Sequence, residues 1–287
     1  MTSEETEKPL NKTVIQLGLV SFFADVASEM LYPVTPIFLT AVLGASMSSL
    51  GLIEGVAEGI ASLLKTFSGY WSDRIARRKP FIVSGYLLGA IAKPMIGIST
   101  HWLGVLGARS LDRTGKGLRS APRDALIADS VSAEQRGAAY GWHRGMDTLG
   151  AALGPLLAIL FLQKDPEQLR TLYFWALLPG LISVALLFWV RESQRPQVAK
   201  TENRISIRSM MGMWGQLNYS FKQYLFSWGV FSLVNSSDVF LLMKVKQTGA
   251  STAQVILYYC LYNLVYAVSS PFLGRLSDHW PRKKIMI

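Results

Sequence analysis

The strongest constraint on this chain is a basic phrase that occurs twice, each time between two long apolar stretches. The phrase GYWSDRIARRK at 69–79 returns as GRLSDHWPRKK at 274–284, so the copies begin 205 residues apart. Both copies keep a glycine, an aspartate four residues later and a group of basic residues near the end. Solenoid repeats have periods of roughly 20–50 residues. The much longer spacing predicts two copies of a large helical unit.

The apolar stretches around the two phrases are long enough to cross a membrane. Hydrophobic residues make up 50% of the chain and charged residues only 17%, whereas soluble domains carry about 25% charged residues. Residues 171–190 and 247–274 contain no charge over 20 and 28 positions, and a spanning helix needs about 20 apolar residues. We therefore predict an all-α, polytopic membrane bundle.

The apolar pattern divides the chain into two unequal helical halves. A cytoplasmic tail is expected at 1–13, a six-helix half at 14–190, a basic cytoplasmic linker at 191–220 and a partial second half at 221–287. Eight membrane helices are predicted, with the beginning of a ninth at Ile285: 14–40, 47–68, 80–99, 102–122, 137–162, 171–190, 221–244 and 252–273. By internal symmetry, four more helices would follow, which favours a fragment over a genuine short form.

The basic residues lie on alternate loops, which indicates a topology rather than a nucleic-acid surface. The net charge is +10. The segments that we assign to the cytoplasm carry 19 Lys and Arg, and those assigned to the opposite side carry 4. This asymmetry follows the positive-inside rule and predicts a multi-pass bacterial inner-membrane protein with a cytoplasmic N-terminus. The lone Cys260 allows no disulfide framework, and no cleavable signal peptide is evident.

The repeated phrase resembles the loop motif G-x-L-A-D-R-x-G-R-K of the major facilitator superfamily, which joins helices 2 and 3 and recurs between helices 8 and 9. The first copy has Trp71 where Leu is usual and Ala76 where Gly is usual, and the second has His279 for Arg and Pro281 for Gly. The resemblance covers the whole chain. It implies six plus six helices around a central cavity and transport by alternating access.

The residues of the motif suggest how the loop is built. The glycine is expected to end one helix, and the aspartate is expected at the positive end of the next helix. By the resemblance, the loop gates the cytoplasmic ends of the two halves, and the alternative is a basic turn that only fixes topology. The residues of this predicted gating motif are Gly69, Asp73, Arg74, Arg77, Arg78, Gly274, Asp278, Arg282 and Lys283.

Several predicted membrane helices carry charges at helical spacing. A charge at the bilayer centre costs about 2.5–3.5 kcal/mol on insertion scales, so these side chains must face each other or a shared cavity. Beside the acids of helix 2, three glycines at 51, 55 and 59 predict close helix packing. The candidate pathway residues are Asp25, Glu29, Glu54, Glu58, Arg109, Asp112, Arg113, Asp147 and Asp238.

Two interpretations of these charges remain open. Some carboxylates, with Asp25 and Glu29 as first candidates, exchange protons during transport. Alternatively, the acids of helices 1 and 2 neutralise the bases of helix 4. Asp238 is included because Ser237-Asp238 in helix 7 matches Ser28-Glu29 in helix 1 after an offset of 209 residues.

Helices 5 and 8 carry two further patterns. Gly150, Gly154 and Pro155 lie in GAALGPLLAI, which resembles the antiporter motif G-x-x-x-G-P-x-x-G-G of drug exporters in the superfamily. Its last two glycines are replaced, so a Gly/Pro kink with close packing is the alternative. The stripe of Tyr258, Tyr262, Asn263 and Tyr266 either lines the pathway or packs in the core.

These features predict a proton-coupled secondary transporter that exports a small cationic or amphipathic solute. No phosphate-binding loop, zinc spacing or nucleophile elbow occurs, so no enzyme, cofactor or bound metal is expected. The expected partners are the lipid bilayer, a small solute and protons, without nucleic acid, and the full-length form is expected to be monomeric. The alternatives are a solute importer, a divalent-metal exporter with His143 and Asp147 as ligands, and a non-transporting sensor or inert truncated product.

Overall fold

The computed structural model describes residues 11–164, 169–192, 215–234 and 237–279, and these are almost entirely helical. The predicted tail before residue 11, the linker at 193–214 and the chain after residue 279 lie outside the described residues. The long helices are α1 (Lys12–Glu29), α2 (Met47–Ile75), α3 (Lys79–Ile98), α4 (Trp102–Asp129), α5 (Arg136–Lys164), α6 (Leu169–Trp175), α7 (Leu177–Leu187), α8 (Tyr219–Val234), α9 (Asp238–Gln247) and α10 (Thr252–His279).

The described residues fall into two compact units. One unit contains those of Met1–Ser193 and Leu242–Ile287, and the other contains those of Gln194–Leu241. The second unit includes α8, along which Phe221, Tyr224, Trp228 and Phe231 form a run of aromatic contacts with ring centroids 5.7–6.4 Å apart. The candidate site described below lies wholly within the first unit.

The all-α membrane class is confirmed. Within the described part of the chain, four stretches are long and apolar enough to cross a membrane: Met47–Ile75, Lys79–Ile98, Arg136–Leu162 and Leu169–Leu187. They correspond to the second, third, fifth and sixth predicted helices.

Proline breaks two segments that were predicted as continuous helices. The first segment was predicted over 14–40, but α1 ends at Glu29 and is followed by a short helix at Thr35–Ile37 and a π-helical turn at Phe38–Val42. Pro33 lies in the break; proline has no backbone N–H and disfavours the helical conformation of the residue before it. The sixth segment divides at Ala176, because Pro179 cannot donate the hydrogen bond that would join α6 to α7.

The segment predicted over 221–244 is also divided, into α8 and α9. The polar residues between them favour caps and turns over helix interiors. Ser237 precedes α9, and its hydroxyl accepts a hydrogen bond from the Val239 amide at 3.4 Å. Asp238 lies in the first turn of α9, where its negative charge complements the positive end of the helix.

The expectation that Gly69 ends helix 2 and that Asp73 opens the next helix is wrong. Gly69 lies inside α2, and Asp73 lies in its last turns. The helix ends at Ala76, which has the left-handed φ of 55° at the position where the superfamily motif usually has glycine. Pro80 instead sets the start of α3 at Lys79, because proline is tolerated in the first turn of a helix.

Helix α4 packs along both α2 and α3. Its contact with α3 is made by the backbones themselves. A Cβ added at Gly85 would lie 2.6 Å from the Gly115 carbonyl oxygen, and one added at Gly115 would lie 2.4 Å from the Gly85 carbonyl oxygen. No side chain fits between these two helices at this point.

Helix α5 approaches α1 through the two glycines of the antiporter-like motif. A Cβ at Gly150 would lie 2.6 Å from the Phe22 carbonyl oxygen, and one at Gly154 would lie 2.8 Å from the Val26 carbonyl oxygen. The glycines of α2 behave differently. Gly55 and Gly59 have open space around their Cα atoms, so the close packing expected there is not formed by the described residues.

The core of the first unit joins α1, α3, α4, α5 and α7 near the N-terminal end of α1. Its buried apolar side chains include Val14, Leu17, Ile82, Ile127 and Leu187. Burial of each such side chain contributes about 1.5–3 kcal/mol in an aqueous reference. These contacts hold α1 and α4 in the positions from which their polar residues form the candidate site.

We expect the two glycines Gly150 and Gly145 of α5 to respond oppositely to alanine. Gly150→Ala should lower the free energy of unfolding by about 2 kcal/mol, because the methyl group meets the α1 backbone. Gly145→Ala is the matched control, since Gly145 has nothing within 4 Å and alanine raises helix propensity by up to about 1 kcal/mol. Thermal unfolding in detergent measures both. Equal effects of the two substitutions would show that α5 does not approach α1 in this way.

Candidate functional site

A polar cavity of about 450 Å³ lies among α1, α2, α4, α5 and α10. Its volume falls in the range of small-molecule sites, roughly 300–1,000 Å³. Most of its lining residues are charged. They are Asp25, Glu29, Lys65, Lys116, Arg119, Ser120, Arg123, Asp124, Arg144, Asp147, Thr148, Ala151, Asn263 and Tyr266.

Two of the acids that line the cavity are held by hydroxyl donors. The Tyr259 hydroxyl of α10 donates to Glu29 Oε2 at 2.5 Å, and the Tyr259 ring stacks on Tyr32 with centroids 5.1 Å apart. The Ser21 hydroxyl donates to Asp147. Asp147 also lies 3.6 Å from His143 Nδ1, one helical turn earlier. The Glu29 contact joins α1 to α10.

Three arginines of the cavity have distinct surroundings. Arg123 forms an ion pair with Asp124 at 3.0 Å. Arg144 donates to the Tyr266 hydroxyl at 3.3 Å. The Arg119 guanidinium stands over the Tyr86 ring, 4.2 Å from its centroid, in cation–π geometry.

The remaining charges of the cavity have no polar partner within the described ranges. Asp25 forms no hydrogen bond or ion pair there, although Asp147, Arg119 and Arg123 act on it electrostatically. Lys65 and Lys116 form no ion pair with any described carboxylate within 4.0 Å, and both side chains are exposed. The cavity thus presents available charges of both signs.

A second group of charges lies beside the cavity and is internally paired. Arg109 Nη2 of α4 lies 2.7 Å from Glu54 Oε1 of α2. One turn further, Arg113 Nε lies 3.4 Å from Glu58 Oε1. Asp112 lies 3.7 Å from Lys93 Nζ of α3 and 3.8 Å from Arg109 Nη1. These contacts offset the charges of α2, α3 and α4 against one another.

The structure therefore separates the pathway residues that the sequence grouped together. Asp25, Glu29 and Asp147 line the cavity. The other five residues of the first six helices belong to the paired group: Glu54, Glu58, Arg109, Asp112 and Arg113. Asp238 belongs to neither group, and it lies in the first turn of α9. Gly150, Gly154 and Pro155 support the cavity wall from within α5, and Gly154 and Pro155 are buried.

Sequence reasoning missed several of the cavity's basic residues. Arg119 and Arg123 were counted among the basic residues of a cytoplasmic segment at 116–136, whereas α4 continues to Asp129 and both side chains line the cavity. The signal was the continuation of helical spacing through 116, 119, 120 and 123. Of the tyrosine stripe in α10, Asn263 and Tyr266 do line the cavity.

The first copy of the repeated loop is held in place by ion pairs and a hydrogen bond within the first unit. The Arg78 guanidinium lies 2.8 Å from Asp73 and also pairs with Asp129 at the end of α4. The Lys79 amide donates to Glu192 at 3.1 Å. Arg74 and Arg77 are exposed.

The second copy of the loop is only partly described. Gly274 and Asp278 lie within α10, so Gly274 does not end that helix either. Arg282 and Lys283 lie outside the described residues. The gating role of this copy stays a prediction.

The described residues offer no group of three or more His, Cys, Asp and Glu side chains that could hold a metal ion. His143 and Asp147 form only a pair. A tetrahedral catalytic or structural metal site takes three or four such ligands.

The Major Facilitator Superfamily profile matches residues 17–287 of the chain. The chain belongs to this superfamily. Membership in a family of transporters that cross the membrane several times agrees with the apolar helices and the polar cavity. The superfamily assignment made from the repeated loop is confirmed.

Relatives within the superfamily include an uncharacterized MFS-type transporter from Methanocaldococcus jannaschii. It is 35% identical over 291 residues, which is 99% of this chain and 71% of the relative. Multidrug resistance protein MdtH of Salmonella typhi is 26% identical over 234 residues, which is 81% of this chain and 56% of MdtH. The chain thus spans little more than half the length of this second relative.

A solved structure shows the same fold. The inward-facing and occupied structure of a bacterial homolog to the human lysosomal transporter Spinster gives a TM-score of 0.72 at 18% sequence identity. The match covers 94% of this chain and 62% of the other. At this identity the likeness extends to the MFS fold alone.

Glu54 and Glu58 provide a matched test of the paired group. Glu54→Gln should lower the free energy of unfolding by about 3 kcal/mol, because it leaves the buried Arg109 with only the more distant Asp112 carboxylate, at 3.8 Å. Glu58→Gln should cost less than about 1 kcal/mol, since the Glu58 side chain is 57% exposed. Thermal and denaturant unfolding in detergent measure the two changes. A larger loss for Glu58→Gln would contradict the pairing.

Proposed function

We propose that this chain forms part of a secondary active transporter that exports a small solute in exchange for protons by alternating access. The observation that carries the proposal is Asp25, a carboxylate that lines the polar cavity without a hydrogen-bonding partner among the described residues. The superfamily membership supports transport. The export direction and the proton coupling are inferences of this proposal.

Asp25 is the acid best suited to exchange a proton. In the cavity, Glu29 accepts a hydrogen bond from Tyr259, Asp147 accepts one from Ser21, and Asp124 pairs with Arg123. Removing or adding a proton at these three acids would disturb an existing contact. At Asp25 it changes only the charge, which Arg119 and Arg123 sense electrostatically.

Glu29 is placed to relay such a charge change to the neighbouring helix. Its hydrogen bond with Tyr259 joins α1, in the predicted first half, to α10, in the predicted second half. Hydrogen bonds to a charged carboxylate are roughly twice as strong as neutral ones. Protonation of Glu29 would weaken this contact and favour movement of α10 relative to α1.

The export direction is supported by similarity. MdtH is named as a multidrug resistance protein, and the glycines of the antiporter-like motif pack α5 against α1 beside the cavity. The distribution of basic residues supports an inner-membrane location with the N-terminus in the cytoplasm. Because protons flow into the cell down their gradient, exchange for protons moves the solute outward.

The proposal is tested in inverted membrane vesicles that contain the chain and are acidified by respiration. Ethidium and 6-aminohexanoate serve as probes, and a pH-sensitive dye reports protons that leave when a probe is added. We expect at least one probe to release protons. Asp25→Asn should abolish the release because it removes the titratable group, whereas Asp25→Glu should keep it.

Membrane insertion is checked separately from proton exchange. The amount of each variant in the vesicles and its thermal unfolding in detergent should match those of the parent chain. Unchanged proton release in Asp25→Asn would remove Asp25 from the mechanism. No release with either probe would refute proton-coupled export.

A further inference from the structure

The charges that line the cavity are close to balance. Five of the lining residues are basic and four are acidic: Lys65, Lys116, Arg119, Arg123 and Arg144 against Asp25, Glu29, Asp124 and Asp147. A solute that carries only positive charge would approach five bases. A solute that carries only negative charge would approach four acids. Like charges brought together in a partly desolvated site repel strongly, so neither kind of solute is matched by this lining.

The basic charge that is available to a ligand lies mainly on α4 and α2. Arg119 is 9% exposed, and its Nε atom has no hydrogen-bond partner among the described residues. The Arg119 guanidinium stands over the Tyr86 ring and has no carboxylate partner among the described residues, so an oxyanion in the cavity would supply that partner. Lys116 lies one turn earlier on the same helix, and Lys65 faces the cavity from α2.

The available negative charge lies on α1. Asp25 is the cavity acid without a hydrogen bond or ion pair to the described residues. Asp25, Lys65 and Lys116 line the same cavity of about 450 Å³, a volume suited to one small molecule. The helices α1 and α4 therefore offer complementary ends for a dipolar ligand.

We infer that the cavity binds a small zwitterion, with its ammonium group at Asp25 and its carboxylate or other oxyanion at Lys65, Lys116 and Arg119. This inference rests on the proposed function, because it takes the cavity as the transport site. It replaces the cationic solute expected from the sequence. That expectation followed from the acids of helices 1 and 2 and left out the bases of α2 and α4 that line the cavity.

A zwitterion also fits proton exchange. The ammonium group and a proton compete for the same Asp25 carboxylate, so arrival of the solute displaces one proton. The oxyanion meanwhile binds bases that do not change their protonation. In one state a proton neutralises the Asp25 carboxylate, and in the other state the ammonium group of the solute does so. The bound zwitterion itself adds no net charge to the cavity.

The test compares molecules that differ only in their charged groups. The purified chain in detergent is heated with 4-aminobutyrate or 6-aminohexanoate, and with butylammonium or butyrate, at equal concentration and ionic strength. We expect at least one of the two zwitterions at 10 mM to raise the midpoint of thermal unfolding by about 2 °C. The two singly charged molecules should produce less than half of that shift.

Three substitutions assign the binding groups. Lys116→Gln and Asp25→Asn should each abolish the shift produced by the zwitterion. Lys12→Gln is the control, because Lys12 is an exposed lysine at the start of α1, outside the cavity lining, and should keep the full shift. All variants must retain the unfolding midpoint of the parent chain without ligand to within the size of the expected shift.

The outcomes separate this inference from the proposed function. An equal or larger shift with butylammonium or butyrate, no shift with any probe, or a full shift in Lys116→Gln would overturn the zwitterion site. Proton release by ethidium in vesicles would then leave proton-coupled export standing. Conversely, a zwitterion shift without proton release by any probe would keep the binding site and refute the coupling.

Discussion

Charge compensation along α4 is the constraint on which the rest of the structure depends. This helix carries six ionisable residues between Arg109 and Arg123, and each needs a partner or water inside a membrane. The first turns are satisfied by Glu54, Glu58 and Lys93 on the neighbouring helices. The later turns face the cavity instead. One helix face thus changes within a few turns from paired charges to charges that line the cavity.

Much of this arrangement could be predicted from spacing. Acids four residues apart on helix 2 and bases four residues apart on helix 4 had to share a face, and the structure forms the pairs Glu54–Arg109 and Glu58–Arg113. The apolar runs predicted the helices that cross the membrane, and the repeated loop predicted the superfamily. The spacing of charges along a helix and the length of an apolar run depend only on neighbouring residues. For this reason they predict individual helices and their shared faces directly.

The sequence could not predict which charges would remain available. That depends on where helices end and on which neighbours reach each side chain. The extension of α4 to Asp129 carries Arg123 on the same helix as Arg119 to the cavity, and the hydroxyls of Tyr259 and Ser21 come from distant positions in the chain. Similarly, glycine spacing alone did not distinguish Gly150, which meets a backbone, from Gly55, which meets open space.

The contact between Gly85 and Gly115 limits how the cavity can change during a transport cycle. Since the backbones of α3 and α4 meet at these glycines with no room for a Cβ atom, a rotation of α4 about its own axis would force the side chains next to Gly115 into the α3 backbone. The row of bases on α4 consequently keeps a constant orientation relative to α3. Any alternation in what a solute encounters has to arise from the opposing helices, whose polar contacts can part without steric cost.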